Sequence, residues 1–284
     1  MTDRSDRVSG GAEAADVTYV YAVAHQVAGL EEAVAALRGV ADAPVRLVTG
    51  TREDELVLVA SPVPARDFQE EALKRHLEDL EWLEAVARAH HGVIEALAGR
   101  TTVLPLRLAT VYLDDARARG VLDDGWDAFA ERVRLLAGHV EWGVKIYADP
   151  SAATVAATGP APSSGLSPGR AYLRDRREQR SARDSVYTAA QRAAERVEAA
   201  GRSHAAGRAR HRVQQGVLAE ARGENLVNDA YLVPLDRADD FRGEVARAAD
   251  GLDGVRVEIT GPWAPYSFAT SPDAPGEAAE GAHP

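Results

Sequence analysis

Val140-Glu141-Trp142-Gly143-Val144-Lys145-Ile146-Tyr147 alternates in side-chain character as a strand does. Successive strand side chains point to opposite faces, so Val140, Trp142, Val144 and Ile146 share one face. Glu141, Lys145 and Tyr147 share the other. Working outward, Val17 to Val23 is β-branched and aromatic, a first strand. Val45 to Val48 and Leu56 to Val59 form a strand pair around a turn at Gly50, the second ended by Pro62 and Pro64. Asn228 to Val233 and Val255 to Thr260 are further strands. Short helices fit Leu30 to Leu37 and Asp239 to Ala249. Trp126, Phe129, Val133 and Leu136 mark another, stopped near Gly138. This mixture predicts an α+β fold of two domains, each with a ferredoxin-like antiparallel sheet.

Two segments are predicted to be long helices. Asp67 caps the first, whose stripe is Leu73, Leu77, Leu80, Leu83, Ala87, His90, Ile94 and Leu97. Gly99 stands where a left-handed helix end is expected, and Thr102 to Tyr112 is extended, interrupted by Pro105. The second segment, residues 170–222, holds 13 arginines against six acidic residues, about +7. About −18 is left on the rest of a chain whose net charge is −11. Val186, Ala190, Ala193, Val197 and Ala200 form a small-residue seam suited to a helix hairpin or arm, with Gly201 and Gly207 bending or breaking it.

The expected boundaries follow. Residues 1–16 are a disordered lead, 17–138 the N-terminal domain and 139–269 the C-terminal domain. Residues 150–169 are a Pro/Gly/Ser loop and 270–284 a disordered acidic tail. The Val140 strand could also complete the N-terminal sheet. The 284 residues are 45% hydrophobic and 27% charged, enough apolar material for real cores. With no cysteine there are no disulfides, thiolate metal sites or thiol nucleophiles. The acidic balance disfavours nucleic acid and anionic membranes. No run of about 18 apolar residues occurs, and the start lacks a secretory apolar core, so a cytoplasmic protein is expected.

Chemistry-bearing groups are sparse. Glu141 and Lys145 lie about 13 Å apart along their strand, too far for an ion pair. They read as a polar patch facing a partner or as two solvated edge residues. His90 on its apolar stripe reads as a core or interface histidine with one hydrogen bond. Neither a metal-binding spacing, nor a serine-nucleophile elbow, nor a phosphate-cradling glycine loop is present, so no metal and no cofactor are expected. The arginine-rich segment is a solvated helix face, a docking surface for an acidic protein or, least favoured because acidic residues are mixed in and aromatics are few, a nucleic-acid footprint. The alternative function is an enzyme on a ferredoxin-like scaffold using Glu141, Lys145 or His90 as acid–base groups.

Gly261-Pro262-Trp263-Ala264-Pro265-Tyr266-Ser267-Phe268 crowds three aromatics and two prolines into eight positions, a rigid turn closing the last strand. With two other segments it resembles the gas vesicle protein F/L family. Thr102-Val103-Leu104-Pro105-Leu106-Arg107-Leu108-Ala109-Thr110-Val111 is similar to the family's vLPlRFGTv stretch, and Val140 to Tyr147 to its vEwgvKvy. Asn228-Asp229-Ala230-Tyr231-Leu232-Val233 followed by Gly261 to Phe268 resembles NaaYLV and tGPWPPYSF. The motifs occur in family order. Leu108-Ala109 replaces the family's Phe-Gly, so a positive φ at 109 would strain the alanine. Ala264 replaces a proline.

The resemblance implies a non-enzymatic accessory protein of gas vesicle formation, cytoplasmic and associated with the vesicle. It would bind the small hydrophobic shell protein and other accessory proteins. The signature positions then become candidate partner contacts: Pro105, Arg107, Glu141, Trp142, Lys145, Asn228, Tyr231, Gly261, Pro262, Trp263, Pro265 and Tyr266.

Overall fold

The computed structural model describes residues 16–52, 55–76, 78–150, 168–213 and 223–269. All of the expected N-terminal lead but Asp16, most of the Pro/Gly/Ser loop, residues 214–222 and the acidic tail lie outside the described residues. The chain forms two compact units, divided between Ala137 and Gly138.

The first unit contains β1 (Asp16–His25), α1 (Leu30–Ala35), β2 (Arg46–Thr49), β3 (Leu56–Pro64), α2 (Ala65–Phe68), α3 (Glu70–His76) and α4 (Leu80–Ala98). It continues with β4 (Val103–Pro105), β5 (Val111–Tyr112), α5 (Asp115–Asp124) and α6 (Trp126–Leu136). The sheet order is β2-β3-β1-β4, with β5 also on β1, and every pairing is antiparallel. β1 is buried from Val17 to Ala24, so both its faces are covered. Pro62 does not end β3, which runs on to Pro64 before α2 begins. The β2 partner stops opposite Ala60, leaving that edge of β3 unpaired where a proline has no ladder bond to break.

The long helix expected from Asp67 is broken into α2, α3 and α4. Asp79 is the cap of α4, its carboxylate accepting from the Glu81 and Trp82 N–H groups at 3.1 Å each. The expected stripe holds from His90 onward and fails before it. Val86, His90, Val93, Ile94 and Leu97 are buried, whereas Leu80 is 79% exposed. Gly99 keeps a right-handed φ of −76°. The sequence reading missed α5, which Asp114 caps by accepting from the Arg117 N–H, and which buries only Ala118 and Leu122.

His90 is a core histidine, with Nδ1 2.9 Å from the Tyr19 hydroxyl oxygen. That hydroxyl also accepts from the Ala109 N–H at 3.1 Å. One phenol thus ties α4, β1 and the loop after β4 together, and it holds Ala109 at a left-handed φ of +61°. Such a conformation costs an alanine about 1 kcal/mol or more.

The second unit contains β6 (His139–Ala148), α7 (Pro168–His204), β7 (Gly207–Arg210), β8 (Glu224–Pro234), α8 (Ala238–Ala246) and β9 (Val255–Trp263). Its antiparallel order is β7-β8-β6-β9. Counted within each unit, both main sheets run 2-3-1-4, the ferredoxin-like order with helices in the crossovers. β6 is central to the second sheet. The seam of α7 is not a hairpin or free arm. Val186, Ala190, Ala193, Val197 and Ala200 are at most 2% exposed, in one core with Trp142, Val144, Ile146, Tyr231 and Val233 of the sheet. Phe241 of α8 joins them, its ring centroid 5.3 Å from that of Tyr231. Burying such a ring is worth about 3–5 kcal/mol against alanine.

Gly201 neither breaks nor ends α7. A Cβ there would lie 2.4 Å from Tyr231 Cε1, so glycine is what lets the helix approach the sheet. Gly207 opens a strand within the segment expected to be helical.

Gly201→Ala should lower stability in urea unfolding by about 1 kcal/mol or more. The overlap with Tyr231 outweighs the gain of about 1 kcal/mol that alanine brings to a helix interior. His90 is pushed down to about 4 by burial, which the Leu106 backbone only partly opposes. The unfolded chain therefore takes up this proton first. Stability from this group is complete above pH 6.5 and is lost as pH falls toward 4. Relative to His90→Gln, the protein should lose about 2 kcal/mol between pH 7 and pH 5.

Candidate functional site

β9 does not stop at Thr260. It runs on through Gly261, Pro262 and Trp263 as the edge strand beside β6, so the expected turn begins later, at Ala264. Gly143 pairs with Thr260 and Glu141 with Trp263, which places Gly261 and Pro262 in a bulge opposite Trp142. Gly261 has a φ of +126°, and a Cβ there would lie 2.7 Å from the Glu141 carbonyl oxygen. No other residue fits that backbone. The Gly261–Pro262 peptide is cis. Ala264 and Pro265 are buried, and Tyr266–Phe268 forms a 3-10 turn.

A carboxylate holds this turn. Glu141 is only 8% exposed. The Ser267 N–H donates to its Oε2 at 2.8 Å, and the Ser267 hydroxyl donates to its Oε1 at 2.7 Å. His211, just after β7, places Nε2 2.9 Å from the same hydroxyl oxygen. Since that hydroxyl proton goes to Glu141, Ser267 accepts from a protonated Nε2. Burial pushes the Glu141 carboxyl above its ordinary value, although the Ser267 bonds and the His211 charge oppose it. Phe268 reaches back toward the sheet, with Cε1 3.2 Å from where a Gly207 Cβ would stand.

The signature residues divide by location. Glu141, Gly261, Pro262, Trp263, Pro265 and Tyr266 come together at the β6–β9 edge. Pro262 and Trp263 are exposed, Trp263 at 38%, and Tyr266 is half-buried. Trp142 and Tyr231 point into the helix-covered core at 6% and 1% exposure, so they carry the fold beneath the site. Asn228 donates to the Arg212 carbonyl at 2.9 Å and ties β8 to the chain after β7. Lys145 is half-buried, in register with Asn228 and Glu258. Pro105 and Arg107 lie in the first unit, Pro105 buried opposite Ala22 and Arg107 exposed.

Glu141 is not the solvated edge residue that its spacing allowed, because β6 has a strand on each side. The acid–base group of Glu141, Lys145 and His90 is not assembled within either unit. His90 belongs to the first unit, where Tyr19 engages it. Sequence reasoning missed Ser267 and His211 as members of this cluster. Ser267 stood inside the quoted motif as the one hydroxyl among prolines and aromatics, which was a usable signal; His211 gave none.

Comparison with known proteins places this chain among relatives. A family model described as gas vesicle synthesis protein GvpL/GvpF matches residues 17–270. Gas vesicle protein L of Streptomyces sp. (strain CB03234) is 44% identical over 251 residues, covering 88% of this chain and 92% of that protein. Gas vesicle protein F of the same strain is 30% identical over 200 residues, 67% of this chain and 80% of that protein. The crystal structure of GvpF from Anabaena sp. PCC7120 superposes with a TM-score of 0.58 at 19% identity, covering 90% of this chain and 97% of that one. GvpF from Microcystis aeruginosa gives 0.59 at 18% identity, covering 90% and 99%. At those identities the two crystal structures speak for the fold.

Ser267→Ala removes a hydrogen bond that favours the ionised carboxylate. In this variant Glu141 should titrate still higher than in the parent protein, read by carboxyl NMR shifts. Stability at pH 7 should drop by about 1–2 kcal/mol. The drop should shrink in acid, because the protonated carboxyl is the form that burial tolerates and loses less when the serine is gone.

Proposed function

The chain belongs to the gas vesicle GvpL/GvpF family, and on that premise we propose that it assists gas vesicle assembly by binding the small hydrophobic shell protein and other accessory proteins, without catalysis. The observation that carries this reading is Trp263, 38% exposed on an edge strand that is locked from behind. The Gly261 bulge, two prolines and the Ser267–Glu141 bonds fix the segment before any partner arrives. A surface ordered in advance loses little entropy on binding, and tryptophan and tyrosine dominate binding hot spots.

The physical need is clear. A shell subunit with a large apolar face aggregates unless that face is covered until it assembles. In this reading Trp263, Pro262 and Tyr266 make the contact, and Lys145 lies farther along β6, opposite Glu258. Trp142 and Tyr231 support the sheet underneath. Both Glu141 oxygens accept from Ser267, which favours a structural over an acid–base role for that carboxylate. Among the described residues no helix is long and apolar enough to cross a membrane. The proposed setting is the cytoplasm, at the growing vesicle.

The test is co-expression with the shell protein, followed by recovery of soluble complex. The parent chain should keep shell protein soluble. Trp263→Ala combined with Tyr266→Ala should weaken the complex at least tenfold while thermal unfolding stays within a few degrees of the parent. A double variant that melts normally and still holds the shell protein at parental affinity would assign these aromatics to the core instead.

A further inference from the structure

At the opposite edge of the second sheet from Trp263, a groove of about 220 Å³ lies between the end of α7 and β7. Glu198, Gly201, Arg202, Gly207, Arg208 and Tyr231 are among its lining residues. Tyr231 is 1% exposed, and its hydroxyl has no hydrogen-bond partner among the described residues. A buried hydroxyl without a partner costs free energy that a ligand's acceptor would recover. Burial pushes this phenol up to about 12, so it remains a donor at neutral pH.

The surroundings are basic on balance. Arg208 lies over the Tyr231 ring at 5.7 Å, and it is paired with Asp229 at 2.7 Å and Glu198 at 3.1 Å. Arg202 reaches Glu198 only at 3.8 Å. Arg210, exposed on β7 in register with Asp229, makes no ion pair among the described residues. Arg202, Arg208 and Glu198 line the groove, and Arg210 and Asp229 form the next pair along the β7–β8 ladder, three arginines against two carboxylates. β7 itself is four residues long and has no strand on its outer side among the described residues.

We propose that this groove and the open edge of β7 receive an acidic, extended segment of a partner protein, with one partner carboxylate held by Tyr231 and flanked by Arg202 and Arg210. An added strand satisfies the edge backbone of β7, while the carboxylate supplies the acceptor that Tyr231 lacks. This gives part of the arginine-rich segment a role separate from the Trp263 surface. The two can fail independently.

The experiment is fluorescence anisotropy on the full chain with two labelled peptides. One is a hexapeptide alternating glutamate and valine; the other has glutamine in place of each glutamate. The glutamate peptide should bind at least fivefold tighter, and added salt should erode the difference. Tyr231→Phe, which keeps the ring, should weaken it about fivefold, the loss of one hydrogen bond. Arg210→Gln, at an exposed position, should weaken it by a similar factor without touching the core. Equal binding of the two peptides, no binding at millimolar peptide, or parental affinity in both variants overturns the proposal.

Discussion

Glu141 is a carboxylate that water would hold more comfortably than the protein does. It is buried on a central strand, and the cost of that burial exceeds what two Ser267 donors and His211 return. The charge nevertheless lets one short side chain seize both the backbone and the hydroxyl of a residue 126 positions away. An apolar residue at 141 would pack as well and hold nothing. The second unit gives up some stability for a fixed course of its last ordered segment. Everything exposed at that edge, Trp263 above all, inherits its position from this grip.

Beneath the edge, the second sheet depends on small residues. The alanines of α7 and the bare Gly201 bring the helix close enough for Tyr231 and Trp142 to fill the space between helix and sheet. Two layers of an α+β unit normally meet through larger side chains. Here the bulk comes from the sheet and the helix supplies the hollow. The first unit uses the same strand order with another device, the Tyr19 hydroxyl shared by His90 and Ala109.

Much of the fold was legible in the sequence because periodicity reports burial directly. The alternation from Val140 to Tyr147 and the α7 seam both emerged on the faces assigned to them. What failed were boundaries decided by competition. Asp67 and Asp79 are both good caps, and only tertiary contact selects Asp79 to start the long helix. Gly207-Arg208-Ala209-Arg210 has the composition of the helix before it. It becomes a strand because β8 offers a free edge, and no local pattern records that. The candidate site was half legible. Its aromatic and proline members announced themselves by crowding. Trp142 and Tyr231, equally prominent in the motifs, turned out to be core. His211 was invisible because a loop histidine acquires meaning only from what the fold sets against it.

The shared Tyr19 hydroxyl has a consequence for how this chain can change over time. Alanine at 109 survives in a left-handed conformation because a phenol ninety positions earlier accepts its N–H. The two sites are therefore one heritable unit. Phenylalanine at 19 would leave the strain at 109 uncompensated, and glycine at 109 would relieve it. Glycine at 109 would lift that one constraint on Tyr19 and leave its bond to His90 in place.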